Sequence, residues 1–472
     1  MGCKAQTTAI AVAMARICNA ADRPTPQMHT ARRLVQTILK RQERLVGVCS
    51  RLFQVTILPA LRFFCSVLMT SFPILFNIFK GIYIVFNIGL IVRFYFALRG
   101  PGVSRLLRVG VCLLAVVLSL AFHFHISGVL AGNSIWVKAV TVVGYYWFAF
   151  MFYAFLAWVL LGVFRFINWR FRWLVIAEED RVRWRHRSCA GIAAVALAVC
   201  VGGWVNSQYP VVREIKLPAP AGGAALRIVA LSDLHLGRLA PEGFFPNVIE
   251  LIEPLSPDIV LFLGDVLEQE FDPSKAQAMA AVLQRLKPRL GIWGVMGNHE
   301  HAGGTGGPIV RLLNQIGVRM IDNKWVTLGD KPGEKILLIG RVSYWKGRKS
   351  LQTIIADVPE EDKGALKILL DHQPVDLGEA EKAGVFLQLS GHTHNGQFFP
   401  LNFIMPFLYE NAYGYYRRGL SHFLVTSGVG AWGPRIRTSG RPEIMLIDLI
   451  PQPMWGPDLW QLKEQSGTGA NY

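Results

Sequence analysis

Cysteine is confined to the first 200 of 472 residues, at Cys3, Cys18, Cys49, Cys65, Cys112, Cys189 and Cys200. Residues 211–472 therefore contain no disulfide, no thiolate ligand and no cysteine nucleophile. The same half lacks an N-x-[ST] sequon, which favours a bacterial origin over an exported eukaryotic domain. Phosphate loops of the G-x-G-x-x-G and G-K-[ST] kinds are missing too. "GVGAWG" at 428–433 follows a strand without opening a helix, which discounts a dinucleotide site. Acidic residues are scarce at the start: residues 1–210 hold 5 Asp and Glu against 23 Lys and Arg, whereas the rest holds 27 against 26. The net charge of +17 thus belongs to the half that also carries the long apolar runs. That coincidence indicates a membrane and argues against nucleic acid, which would need a basic stripe on the soluble half.

A helix needs roughly 20 apolar residues to cross about 30 Å of hydrocarbon. Windows of that length predict spans at 109–131, 139–164 and 188–207, and a further one at about 67–92 that Pro73 and Lys80 interrupt. With their loops these make an all-α transmembrane domain of about four helices over 67–206. Arg93, Arg99, Arg105 and Arg108 lie between the first two spans. Arg165, Arg170, Arg172, Arg181, Arg183, Arg185 and Arg187 lie between the last two, and Lys138 alone between the middle pair. The positive-inside rule puts both Arg-rich loops in the cytoplasm. The expectation is a multi-pass protein of the inner cell membrane whose residues 211–450 face the outer, periplasmic or extracellular, side. Residues 1–66 are basic and unassigned, because four spans would leave them outside against the charge rule. Either "VGVCSRLFQVTILPALRFF" adds a segment or the native chain starts near Met69. Residues 451–472 form a C-terminal tail.

Beyond Pro210 short apolar runs alternate with amphipathic stretches, as in mixed α/β packing. Strands are expected in "ALRIVALSDLH", "DIVLFLGD", "GIWGVMGNHE", "KILLIG", "LKILLD", "VFLQLSG", "HFLVTSG" and "EIMLIDL", and helices in "GFFPNVIELIEPL", "SKAQAMAAVLQRL" and "GPIVRLLNQIG". A polar cluster recurs directly after a strand: Asp233 and His235, then Asp265 with Glu268, then Asn298 and His299, then His372, then His392 and His394. Open α/β sheets build their sites at such strand ends. The donors are all oxygen or nitrogen. Two divalent cations about 3.5–4 Å apart need a bridging carboxylate, neutral imidazoles and an amide or carboxylate oxygen, which is what this set offers. Gly264, Gly297 and Gly391 let the backbone turn tightly beside these donors.

The ordered set D-x-H, GDxxE, GNHE, an isolated His and GHTH resembles the calcineurin-like metallophosphoesterases. The run "YGYYRRGLSHFLVTSGVGAWGPRIRTSGRPEI" is similar to their bacterial membrane-anchored subgroup. The resemblance implies a four-layer α/β/β/α sandwich over 211–450. It further implies that Asp233, His235 and His394 hold one metal, that Asn298, His372 and His392 hold a second, and that Asp265 bridges them. A metal-bridging hydroxide would attack phosphorus, and His299 would stabilise the equatorial oxygens or protonate the leaving group. Mn, Fe, Zn, Mg and Co all suit such ligands, with Mn favoured.

The resulting expectation is a phosphoesterase acting on a phosphomonoester or phosphodiester of a lipid or lipid-linked phosphate at the bilayer surface, with oligomeric state open. The alternatives are a non-catalytic, metal-containing exported domain of a receptor or transporter, and a phosphatase of soluble substrates. Glu268 is expected to support the ligand loop, His301 to sit on a rim, His123 and His125 to be interfacial, and His422 to be structural. "PLNFIMPFLYENAYGYYRRG" at 400–419 either dips toward lipid or folds over its own sheet. Arg417, Arg418, Arg435 and Arg437 are candidates for phosphate contact or for plain structure.

Overall fold

Strand residues from Leu226 onward alternate between two destinations, and that alternation defines the layers. The computed structural model describes residues 72–451, apart from residues 101, 128–133, 221, 269, 302–305, 330–332 and 344–346. The basic region 1–66 and nearly all of the C-terminal tail lie outside the described residues. In β2 (Leu226–Leu231), Ile228 and Ala230 enter one apolar cluster while Val229 and Leu231 enter another. The same period of two recurs in β3 (Ile259–Phe262), β7 (Ile336–Arg341), β8 (Leu366–Asp371) and β12 (Glu443–Ile450). A strand buried on both faces has side chains pointing each way, so two sheets share one core and each is covered outside by helices.

The first sheet has the order β1-β12-β2-β3-β4-β5, with β1 at Val211–Pro218, β4 at Ile292–Gly294 and β5 at Arg319–Met320. The second has the order β10-β11-β9-β8-β7-β6, with β6 at Lys324–Leu328, β9 at Leu387–Ser390, β10 at Gly414–Arg418 and β11 at Ser421–Val425. Within these, β2, β3, β4 and β5 run parallel, as do β7, β8, β9 and β11, while β12, β10 and β6 supply antiparallel pairings. The fold is the α/β/β/α sandwich expected. The sequence reading omits β1, β5, β6 and β10, and these are the four strands at the sheet edges.

Among the described residues, four helices long and apolar enough to cross a membrane precede the sandwich: α1 (Phe72–Ala97), α2 (Arg105–Ile126), α3 (Ile135–Phe171) and α4 (Arg181–Ser207). The first runs further toward the C-terminus than the interval 67–92 read from composition. Pro73 falls in its opening turn, where a missing N–H breaks no helical bond, and the Lys80 ammonium lies 4.6 Å over the Phe76 ring. With 37 residues, α3 is about 55 Å long at 1.5 Å per residue, well beyond the hydrocarbon thickness. Its last turns carry Arg165, Arg170 and the exposed Phe166 and Trp169.

The two Arg-rich loops meet at one end of the helices, where Arg185 donates to the Arg99 carbonyl. The sandwich docks at the other end. Only Gln208–Pro210 separate α4 from β1, and the segment 433–440 between β11 and β12 is fastened to α4. Asn206 Nδ2 donates to the carbonyls of Arg437 and Gly440 at 2.9 Å each, Ser207 Oγ donates to the Arg435 carbonyl at 3.0 Å, and the Arg437 N–H donates to the Gly203 carbonyl at 2.9 Å. A Cβ on Gly203 would press on Ile436 and Thr438, each 2.7 Å away, so a glycine is needed for that approach. Phe398 completes the joint, buried among Phe148, Phe152 and Tyr153 of α3.

Replacing Ile228, fully buried between the sheets, tests whether that shared core carries the stability. Ile228→Ala should destabilise the purified protein by about 2–5 kcal/mol, read as a lower thermal midpoint. An unchanged midpoint would contradict the shared core.

Candidate metal centre

Past their last paired residues β2 and β3 stay bonded to each other. The Asp233 N–H donates to the Gly264 carbonyl and the His235 N–H to the Asp265 carbonyl, both at 3.0 Å. Two consecutive strand ends are thereby held side by side, and their side chains converge. The backbone is strained to achieve this. Asp233, His235, Asp265, His392 and His394, five of the seven candidate ligands, have φ between 49° and 70°. That left-handed region costs an L-residue roughly 1–2 kcal/mol, and such strain gathers where a site dictates side-chain direction.

Asp233 and Asp265 are 0% and 2% exposed. The His394 Nε2 lies 3.2 Å from Asp233 Oδ1, and the His372 Nε2 lies 3.2 Å from Asp265 Oδ2. His235 Nε2 sits between the carboxylates, 3.8 Å from Asp233 Oδ1 and 4.0 Å from Asp265 Oδ2, and meets His394 Nε2 at 3.1 Å. Donor atoms of Asp233, His235 and His394 fall within 4.8 Å of one another, as do those of Asp265, His372 and His392 and those of His235, Asp265 and His299. Asn298 Oδ1 is buried without any hydrogen-bond partner, and His372 Nε2 has only the Asp265 carboxylate beside it. A buried polar atom with no partner is costly, and a divalent cation would satisfy Asn298 Oδ1 and take up the His372 Nε2 lone pair. Glycines complete the cradle, since a Cβ on Gly297 would run into Asp265 Oδ1 and one on Gly391 into Asp233 Oδ2. The donor set fits a pair of hard or borderline divalent ions.

Burial opposes ionisation of both aspartates, and the facing imidazoles outweigh it. His394 and His372 hold Asp233 below the usual carboxylate range, and His372 and His299 do so for Asp265. Burial would likewise depress His372, but the Asp265 carboxylate raises it to about 9. Its proton balances charge that a cation would otherwise balance, so binding would displace it. Burial and the His372 charge push His392 down to about 3, which keeps it neutral, the form a metal needs.

A further ring of residues fixes these donors. The Glu268 carboxylate accepts from His235 Nδ1 at 2.6 Å and from His299 Nδ1 at 2.9 Å, leaving both Nε2 atoms turned toward the cluster. Burial works against protonation of His299, while Glu268 and then Asp265 raise it to about 10, so it carries a proton. The His372 Nδ1 donates to the Leu263 carbonyl at 2.8 Å. Glu300, the last residue of "GNHE", carries no sign of its role in the sequence. It is fully buried and accepts from the N–H groups of Asp265, Val266, Leu267 and Gly297 at 2.5–3.1 Å. Arg437, also fully buried, donates to the carbonyls of Gly428, Gly430, His394 and Ser427 at 2.6–3.2 Å. It is structural. "GVGAWG" forms the floor, its Gly428 packed against Asp233 Cβ.

The lesser histidines separate. His422 lies on β11, its Nδ1 2.9 Å from the Tyr415 hydroxyl. His301 is half-buried in the turn behind Asn298. His123 and His125 belong to none of the metal-type groups among the described residues, but His125 lines a cavity together with His235 and His299. Sequence spacing gives no sign of that, because the two come from regions more than 100 residues apart. Arg418 is held by Glu381 and Glu410 at the surface, which favours the structural reading for it.

Residues 226–396 match the family described as calcineurin-like phosphoesterase. An uncharacterized metallophosphoesterase of Helicobacter pylori strain J99 is 29% identical over 257 residues, 53% of this chain and 67% of that one. A zebrafish (Danio rerio) transmembrane protein with a metallophosphoesterase domain is 29% identical over 294 residues, 58% of this chain and 65% of its own length. The uncharacterized metallophosphoesterase YkuE of Bacillus subtilis is 30% identical over 236 residues, 49% of this chain and 81% of that protein. Proteins of this family typically bind two metal ions, in keeping with the donors gathered here. The chain belongs to the calcineurin-like metallophosphoesterases.

Proposed function

We propose that the chain is a membrane-anchored two-metal phosphoesterase that hydrolyses a phosphomonoester or phosphodiester of a lipid or lipid-linked phosphate, on the outer side of the inner cell membrane. The observation that carries the reading is the convergence of two buried carboxylates, four imidazoles and one amide oxygen beside His299. Asp233, His235 and His394 would hold one cation and Asn298, His372 and His392 the other, with Asp265 shared. When bound, the pair (Mn²⁺ favoured) would supply Lewis acidity toward phosphoryl oxygens and a water acidic enough to act as nucleophile. His299 commits Nδ1 to Glu268, which leaves its Nε2 proton for the equatorial oxygens or the leaving group.

The lipid assignment is supported by the segment after the last candidate ligand. Phe398 is packed with the membrane helices, and Phe399, Phe403, Ile404, Phe407 and Leu408 follow it exposed. An apolar surface continuous with a membrane helix packing core belongs at the bilayer interface. The outward orientation is supported by the Arg-rich loops, which lie at the far end of the helices from the sandwich.

With Mn²⁺, the purified full-length protein should hydrolyse a chromogenic phosphate ester, while His299→Ala should lose about 10²–10⁴ in kcat and Asp265→Asn should be inactive. Equal behaviour of all three with metal would overturn the enzyme reading. Orientation is tested by a reporter fused after Tyr472: one that works only outside the cytoplasm should be active, and activity of a cytoplasm-only reporter would contradict the assignment.

A further inference from the structure

Arg435 has 3% of its surface exposed, yet its Nε and Nη2 have no hydrogen-bond partner. Its guanidinium lies 3.9 Å over the Phe244 ring, and the groups acting on its charge, Tyr146 and Arg437, include no carboxylate. Burying an unpaired cation is costly, and an anionic ligand is what offsets that cost. Arg435 lines a cavity of about 80 Å³ that also touches His235, Glu268 and His299. At roughly 30 Å³ per water, that space suits one phosphoryl-sized group.

The opposite wall comes from the membrane helices. His125 of α2 and Thr141 and Tyr145 of α3 face the same cavity. His125 Nε2 lies 3.0 Å from the Tyr145 hydroxyl, and Arg238 Nη1 donates to Thr141 Oγ1 at 3.3 Å. Gly433, with φ at 64°, brings the Arg435 segment close against the Tyr145 ring, where a Cβ would sit 3.0 Å from Cε1. Glu270 lines the cavity as well, which suits a phosphate carrying a neighbouring hydroxyl or ammonium.

We infer that these side chains form a phosphoryl-binding subsite shared by the membrane helices and the sandwich, in which Arg435 engages phosphoryl oxygens and Tyr145 and His125 form the membrane-side wall. The inference rests on the phosphoesterase reading above, and it makes the helices part of the binding site as well as an anchor. A lipid headgroup and a soluble phosphate ester share the chemistry that this subsite recognises.

The test is calorimetric binding of inorganic phosphate to full-length, Mn²⁺-loaded protein in nanodiscs of phosphatidylcholine, which needs no turnover. Arg435→Gln should weaken the phosphate Kd by about tenfold or more, and Arg435→Lys by less, because charge-assisted bonds to a guanidinium are lost. Tyr145→Phe and His125→Gln should each weaken it about two- to tenfold. They also keep the subsite testable if both Arg435 variants fail to fold. Wild-type affinity in the folded Arg435 variants, or no phosphate binding by the wild type, would overturn the subsite. Wild-type affinity in both membrane-side variants would overturn the helices' share in it, and the subsite as a whole if neither Arg435 variant folds. A second set of nanodiscs containing phosphatidic acid separates the sources. Weaker apparent phosphate binding there means that a lipid headgroup occupies the subsite, and unchanged binding means a soluble one; either supports a phosphoryl subsite when Arg435→Gln reduces it. Inert wild type that still binds phosphate through Arg435 would sink the phosphoesterase reading alone.

Discussion

Two carboxylates, Asp233 and Asp265, are buried side by side, and most of the surrounding structure is arranged to make that tolerable. Like charges in a low-dielectric interior repel strongly and lose their hydration. Four imidazoles face them, and each carboxylate is also tied to backbone: His392 donates its N–H to Asp233 at 3.0 Å and His299 donates its N–H to Asp265 at 2.9 Å. Glu268 and Glu300 then fix the rings and loops that make those contacts. The left-handed backbone at five of the seven candidate ligands is the visible cost of aiming so many donors at one volume. The sandwich supplies the rigidity, with five strand ends, those of β2, β3 and β4 in one sheet and β8 and β9 in the other, supported by a core closed on both faces.

The joint to the membrane helices uses the same segment that supports the site. Arg437 ties the floor of the cluster to the carbonyl of His394, while its own backbone is tied to Gly203 and Asn206 of α4. One stretch of eight residues therefore reports both to the candidate ligands and to a membrane helix. A domain on a flexible leash would have no such coupling. Here a shift of α4 would be felt at His394 through Arg437, and a shift of α3 at Arg435 through Tyr145 and Gly433.

Legibility in the sequence followed burial. Central strands such as β3 and β7 are apolar runs of Ile, Leu, Val and Phe beside a Gly, and are readable because both of their faces are apolar. The strands without such a pattern, β1 with "VVREIKLP", β6 with "KWVTL", β10 with "GYYRR" and the two-residue β5, are edges whose outer faces are polar and whose identity is set by a neighbour. The candidate ligands were legible because each follows a readable strand. Glu300 was in view but its role was not, since four backbone donors leave no mark in composition. That His125 and Arg435 share a cavity with His299 leaves no trace in the sequence, because it depends on how the helices dock.

The central claim is that this cluster holds two cations and uses them on phosphate esters. Stepwise return of Mn²⁺ to demetallated, full-length protein, with bound metal per chain and ester hydrolysis measured together, tests it most directly. The account predicts saturation at about two ions per chain, with hydrolysis rising as the second is bound. Saturation at one ion or none, or a rate indifferent to metal, would contradict it.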